Sequence, residues 1–267
     1  MGFGDQLMGA GMARGAYARK ELIAFGDETH RNIIWDHNSE AIYRNNPNVA
    51  RPGAENGGQN MVREFTLKWI PFYRSHRIYN REDSANERWI WNMDWRPIPG
   101  EMFFDDHEKA GAAAIGGDWI IIEPNVPPKR SAVNKLWPLD RYQWVADHLA
   151  RDGHQIAQFQ HPHMVVGLRK VKTLESKNFR RAAALVKRCK MVITAEGGLH
   201  HAAAAMNKPA VVLFGGFIPI SVTGYPTHEN IAVGEACGKY VPCEHCTAAM
   251  ASITPEQVYE AAKRLLA

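Results

Sequence analysis

Met191 to Gly216 reads MVITAEGGLHHAAAAMNKPAVVLFGG. The apolar run Lys190 to Ala195 predicts a buried strand. Glu196-Gly197-Gly198 predicts a tight turn, Leu199 to Met206 an alanine-rich helix, and Pro209 to Phe214 a second strand closed by Gly215-Gly216. The glycines of the turn let a ligand approach the backbone. The helix start offers unpaired N–H groups and the positive end of its dipole to an anion. In open α/β sheets such turns lie at the carboxyl ends of the strands, where ligands bind. Short glycine turns also serve as plain strand–helix joints, so this block alone names no ligand.

The same alternation extends outward. Asp118 to Glu123 is an apolar run between Gly117 and Pro124, and predicts another buried strand. Leu139 to Arg151 has apolar positions at helical spacing, with Gly153 as its stop. Gln155 to Phe159 predicts a strand, and Ser176 to Arg188 a helix with Ser176 as N-cap. Thr254 and Pro255 open a last helix. Strands alternating with helices predict a parallel, doubly wound sheet. Toward the N-terminus, Gly9 to Lys20 reads as a helix, Asn32 to Trp35 as a strand, Ser39 to Arg44 as a short helix and Asn48 to Gln59 as a loop. Arg74 to Glu101 is polar and aromatic with weak periodicity, and contains the breaker Pro97-Ile98-Pro99-Gly100. A boundary between Asp106 and Gly116 divides the chain into units 1–108 and 109–267.

The 267 residues suffice for two small α/β units. Hydrophobic residues at 45% and charged residues at 22% are ordinary for a globular protein. No run approaches the roughly 18 apolar residues of a membrane span, and no basic segment precedes an apolar one at the start. A cytoplasmic protein without integral membrane contact is expected. The net charge of +4 and pI near 8.8 suit anionic ligands without choosing among nucleotides, glycans and nucleic acid. Of the eight Trp, Trp69, Trp89, Trp91 and Trp95 cluster in sequence; such residues pack cores and also stack on sugars or bases.

Two further segments carry chemistry. Lys135, in Asn134-Lys135-Leu136-Trp137-Pro138, could reach a phosphate at the same sheet edge, with Lys129 and Arg130 adding charge. A loop lysine is more commonly only solvated. Asp5, in Gly2-Phe3-Gly4-Asp5-Gln6-Leu7-Met8, is either a helix cap or a carboxylate facing a cleft.

Taken in order, Gly2 to Leu7, Lys135 to Pro138, Glu196 to Ala205 and Pro209 to Gly215 resemble the heptosyltransferases of glycosyltransferase family nine. The resemblance implies a GT-B-like α/β fold, two Rossmann-like domains facing a cleft. It implies an N-terminal acceptor-side domain and a C-terminal domain that binds a nucleotide-diphosphate sugar. It implies inverting, metal-independent transfer to a hydroxyl acceptor, a glycan or lipopolysaccharide-like molecule. Asp5 would be the general base and Lys135 would neutralise the leaving diphosphate. Gly197, Gly198 and Leu199 would present N–H groups to it, and His201 would lie near the diphosphate or the donor sugar. Glu196 and Asn125 complete the donor-side set. No cofactor is implied beyond the sugar nucleotide. In the family a strand precedes the glycine-rich N-terminal segment; none precedes Gly2 here, so either the chain is trimmed at its start or its N-terminal domain is reduced. Glu196 stands where the family has Asp. Gln160-His161-Pro162-His163 offers no carboxylate for the ribose.

Cys237, Cys243 and Cys246 present one C-x-x-C spacing, with His228 or His245 as a fourth ligand; a single such pair favours no metal over a zinc knuckle. Cys189 reads as a small buried hydrophobe. Asp105-Asp106-His107 reads as a solvated linker rather than a cation site. Competing readings keep the fold: a transferase acting on a modified base in viral DNA, a non-catalytic sugar-nucleotide module, or a sugar-nucleotide epimerase.

Overall fold

The computed structural model describes residues 1–56, 65–126, 130–162 and 164–267. Lys129, His163 and the end of the Asn48 to Gln59 loop lie outside the described residues.

The second half is the doubly wound sheet that the sequence predicts. Strands β6 (Ile120–Glu123), β7 (Ile156–Gln160), β8 (Lys172–Glu175), β9 (Met191–Ala195), β10 (Ala210–Gly215) and β11 (Glu229–Ala232) stand in the order β11-β10-β9-β6-β7-β8. Every pairing among them is parallel. The central strands are buried on both faces, which is why they read as continuous apolar runs. The chain moves outward from β6 to β7 and β8, then returns to lay β9 on the other side of β6. The carboxyl ends of β6 and β9 therefore flank the switch point of the sheet, the standard crevice for a ligand.

The first half is smaller and mostly antiparallel. Helix α1 (Phe3–Met12) leads to β1 (Glu21–Gly26), α2 (His37–Tyr43), β2 (Thr66–Tyr73), β3 (His76–Arg77), β4 (Asn80–Asp83) and β5 (Arg88–Trp91). Among the described strands of this half only β1 and β2 pair in parallel, and β2 to β5 form a meander. Helix α1 begins earlier than the predicted Gly9, and stops at Met12 because Tyr17 to Arg19 turns as a 3-10 segment. Asn32 to Trp35 makes only an isolated bridge from Ile33 to Gly26.

Helix α3 (Asp106–Ala113) joins the halves, with Asp105 accepting from the Glu108 N–H as its N-cap. Asp106, in the first turn, pairs instead with Lys109 at 2.9 Å. Helix α4 (Leu139–Arg151) has the predicted bounds. Helix α5 (Phe179–Val186) starts later than predicted. Asn178 caps it by accepting from the Arg181 N–H, while the Ser176 N–H pairs with the Gln160 carbonyl. Helices α6 (Gly198–Ala205), α7 (Ile220–Thr223), α8 (Glu244–Ser252) and α9 (Pro255–Leu266) follow; Thr254 caps the last, with Pro255 at its first turn.

The halves share one core. Leu7, Met8, Phe25, Phe72 and Tyr79 pack in the same buried cluster as Ala202, Ala203, Phe214 and Phe217. Arg180, itself buried, holds the seam. Its Nη2 donates to Glu108 Oε2 at 2.6 Å and to the Phe103 carbonyl at 2.7 Å, and its Nη1 to the Ala41 carbonyl at 2.9 Å. A second core, built on Ile120, Ile122, Tyr142, Val145 and Leu149, fills the other face of the large sheet.

Candidate functional site

The switch point carries a buried ion pair. Glu196 follows β9, Lys135 follows β6, and the Lys135 ammonium hydrogen-bonds Glu196 Oε2. Burial would raise the Glu196 carboxyl, but Lys135, then the hydrogen bond from His201, outweigh it and hold the group well below the usual carboxylate range. His201 Nε2 lies 3.7 Å from Glu196 Oε1, and its Nδ1 lies 2.7 Å from the Tyr225 hydroxyl. Lys135 also sits 5.0 Å from the Phe217 ring centroid.

The extra histidine of the block has a definite task. His200 Nδ1 accepts from the Gly197 N–H at 3.0 Å, and its Nε2 meets the Thr223 carbonyl at 2.8 Å. The acceptor role of Nδ1 fixes the proton on Nε2. Burial, followed by the charge of His201, drives its pKa well below the ordinary value, so the ring is neutral. This corrects the expectation for Gly197: its N–H is held by His200 and does not face a phosphate. The amides of Gly198 and Leu199 begin α6 without a preceding helical carbonyl to bind. Glu196, His200 and His201 lie close enough to suggest a cation cluster. Both His200 nitrogens already have partners, however, and Lys135 occupies the carboxylate, so the three do not form a free ligand set.

Asn125 is also corrected. Its side-chain amide donates to Glu123 Oε1 and to the Val166 carbonyl, and its oxygen accepts from the Val165 and Val166 N–H groups. With its side-chain amide fully engaged, Asn125 shapes the loop after β7 and offers no free side-chain polar group to a donor. No carboxylate follows β7: Glu123, at the end of β6, binds Asn125 and lies 4.0 Å from His161.

Asp5 stands opposite this centre, in the first turn of α1. The start of α1 lies against α6 so closely that a Cβ on Gly4 would come within 2.7 Å of the His201 ring. Gly198 is tight as well: a Cβ there would lie 3.2 Å from both Phe3 and Phe179, whose rings stack at 4.1 Å. The Asp5 carboxylate accepts from the Tyr79 hydroxyl at 2.6 Å and from the Gly2 N–H at 2.8 Å, and pairs with Arg77 Nη2 at 3.6 Å. Burial pushes this carboxyl up; Arg77, Tyr79 and the Gly2 N–H bring it below its ordinary value. Its side chain stays 26% exposed, so it reaches open space while anchored. Arg77 and Tyr79 were not legible as site residues. Arg77 ends β3 and Tyr79 lies in the short turn before β4, so no strand or helix period marks them as a pair.

The cysteines form a second cluster. Cys237 Sγ lies 3.3 Å from Cys246 Sγ and 3.9 Å from Cys243 Sγ, and the ligand atoms of these three and His245 fall within 4.8 Å of one another. His245 is the fourth member; His228 is buried against Tyr225 and His200 instead. Asn134 fastens this loop to the segment bearing Lys135: it donates to the Lys239 and Val241 carbonyls and accepts from the Cys243 N–H. Cys189 is separate and buried, with its thiol pushed up to about 12 by burial.

Residues 124–250, which contain Lys135, the α6 turn and the cysteine loop, match the model of glycosyltransferase family 9 (heptosyltransferase). This stretch of the chain, just under half of it, is therefore similar to glycosyltransferase family 9. Similar solved structures include E. coli ADP-heptose lipopolysaccharide heptosyltransferase II, 21% identical over 66% of this chain and 54% of that one, TM-score 0.47. A family 9 glycosyltransferase from Veillonella parvula is 23% identical over 62% and 53%, TM-score 0.48. The iron-containing dodecameric glycosyltransferase TibC from enterotoxigenic E. coli is 13% identical over 92% and 76%, TM-score 0.56. No curated protein matches the chain. The chain spans about half the length of the first two structures. The chain thus has a GT-B-like α/β fold, similar to that of TibC, and the described residues of its first half form one parallel strand pair and a meander. Among the described residues no helix is long and apolar enough to cross a membrane.

Proposed function

We propose that the chain transfers a sugar, with inversion and without a catalytic metal, from a nucleotide-diphosphate sugar to a hydroxyl acceptor. The observation that carries this reading is the Lys135–Glu196 pair at the switch point, with Asp5 across the α1–α6 contact. A departing diphosphate gains negative charge as the sugar gains cationic character. Lys135 and the Gly198 and Leu199 amides at the start of α6 supply fixed positive potential for the diphosphate. Asp5, kept ionised by Arg77, takes the proton of the attacking hydroxyl. His201, held by Tyr225 and Glu196, orients the donor end.

The test is a melting series with ADP, UDP and GDP and their sugars. A true donor or its diphosphate at about 100 times its Kd stabilises the protein by roughly 2.7 kcal/mol. Anomeric NMR of the product then reads inversion. If no nucleotide raises the melting temperature, the reading fails. The nucleic-acid alternative draws on the arginines of the first half, but Arg77 and Arg88 are paired with Asp5 and Asp83. Duplex DNA is therefore expected to bind without a steep salt dependence.

We also propose that Cys237, Cys243, Cys246 and His245 hold a structural metal. Thiolates about 2.3 Å from a tetrahedral ion lie about 3.8 Å apart, close to the observed sulfur separations. TibC, which shares the fold, is described as iron-containing. Elemental analysis of protein purified without added metal should find about one iron or zinc per chain, and chelation should lower the melting temperature. Metal-free protein with an unchanged melt under chelator overturns this.

A further inference from the structure

A cleft of about 650 Å³ opens between β5 and the loop that follows β10. This lies within the size range of small-molecule sites. Trp89, Trp91 and Met93 line it from the β5 side, and Gly215 and Ile218 from the loop after β10. We propose that this cleft is a subsite for a neutral sugar, the acceptor side of the transfer, with the two indoles as stacking platforms. The inference rests on the transferase reading and adds the acceptor's chemistry to it.

Two lines of observation place the cleft beside the reaction centre. The Arg77 guanidinium, which pairs with Asp5, lies 5.3 Å from the Trp89 ring centroid. Trp91 meets Phe217 edge to face at 5.9 Å, and Phe217 carries Lys135 on its ring. Each indole is thus one side chain removed from the general base or from the diphosphate lysine. The cleft lies on the β10–β11 side of the switch point, and so extends away from β7 and β8.

Charge selects the ligand class. Arg88, the cation in the lining, is neutralised by Asp83, whose Oδ2 accepts from its Nε at 3.0 Å. Glu235, also in the lining, has no ion-pair partner among the described residues. A wall of two indoles, apolar side chains and one unpaired carboxylate repels phosphates. It suits a polyol, whose C–H faces stack on indole while its hydroxyls donate to a carboxylate.

Saturation-transfer NMR on the full chain with methyl glucoside, methyl mannoside, maltose and cellobiose tests the proposal. At least one should bind saturably, unaffected by ADP or UDP. Trp91→Ala should weaken that binding by about tenfold or more, while Trp91→Phe keeps most of it. In wild-type protein the indole N–H resonances of Trp89 and Trp91 should shift, a readout that does not depend on how well a variant folds. The proposal is overturned if no neutral sugar binds, if binding moves other indoles only, or if a sugar phosphate binds in preference. The nucleotide melting series is read in parallel. A nucleotide shift without sugar binding sinks the subsite and spares the transferase reading; sugar binding without any nucleotide shift does the reverse.

Discussion

Asp5→Asn is expected to lower the rate of sugar transfer by roughly 10²–10⁴-fold while leaving the nucleotide-induced melting shift in place. The amide has the size of the carboxylate and can still accept from the Tyr79 hydroxyl, so α1 keeps its place against α6. It cannot take the acceptor proton. Loss of nucleotide binding together with activity would mean that Asp5 supports the donor site and not the hydroxyl. The pH profile gives a second reading. Arg77 and Tyr79 hold the carboxyl below its ordinary value, so the acidic limb of kcat/KM should fall below the usual range for a carboxylate. Tyr79→Phe removes one of the two side-chain contacts and should move that limb upward. The same depression has a stability consequence. A carboxyl whose folded pKa is lowered contributes stability that is complete above its unfolded value near 3.9, and that contribution is lost as pH falls through the folded value. Acid should therefore weaken the α1 contact.

Lys135→Ala is expected to cost about 3–5 kcal/mol of folding stability, because it strands a buried carboxylate. Glu196 is 5% exposed and Lys135 is its nearest cation. Without Lys135, burial dominates and the Glu196 carboxyl rises above its unfolded value. The sign then reverses. A group with a raised folded pKa keeps its contribution at low pH and loses it as pH climbs. The variant should therefore lag the wild type more at pH 8 than at pH 5 in urea melts. Lys135→Ala combined with Glu196→Gln should recover much of the loss, and the non-additivity measures the coupling. Equal stability of the single variant and wild type at both values would mean that the pair is solvated and weak. Nucleotide binding should be lost in the single and the double variant alike, which separates the structural role of the pair from its ligand role.

The second half was legible because its signals are local. Ile120 to Glu123 and Met191 to Ala195 are buried on both faces, so their apolar runs needed no partner to interpret. Helix α4 alternates at 3.6 residues and has the predicted bounds. Ser176 misled because it satisfies the composition of a cap, while Asn178, two residues on, meets the α5 amide. The meander of the first half was hidden. Its strands are short, half exposed and paired to one another rather than to a hydrophobic layer, so no clean period appears. Lys135, Glu196 and His201 could be named from sequence because they surround a turn. Their mutual contact could not, since it joins residues 61 positions apart. The partners of Asp5 were further out of reach: Tyr79 is 74 residues away, in the turn of a hairpin that the sequence did not reveal. Asn125 and Gly197 show the converse. Residues of a suitable type sat in the right place, and neighbours had already taken their hydrogen bonds.

The Arg180 seam and the core it closes bear on how the molecule can be taken apart. Two-lobed transferases are commonly pictured as jaws, but these lobes have no surface of their own to part along. Leu7 and Phe72 are packed into the same interior as Ala203 and Phe214. Melting is then a single cooperative event, felt at once by Asp5 and Lys135. A cut near residue 108 would expose apolar side chains on both fragments instead of releasing two working pieces. A ligand is therefore expected to enter without the two halves parting, since parting them would expose the core they share.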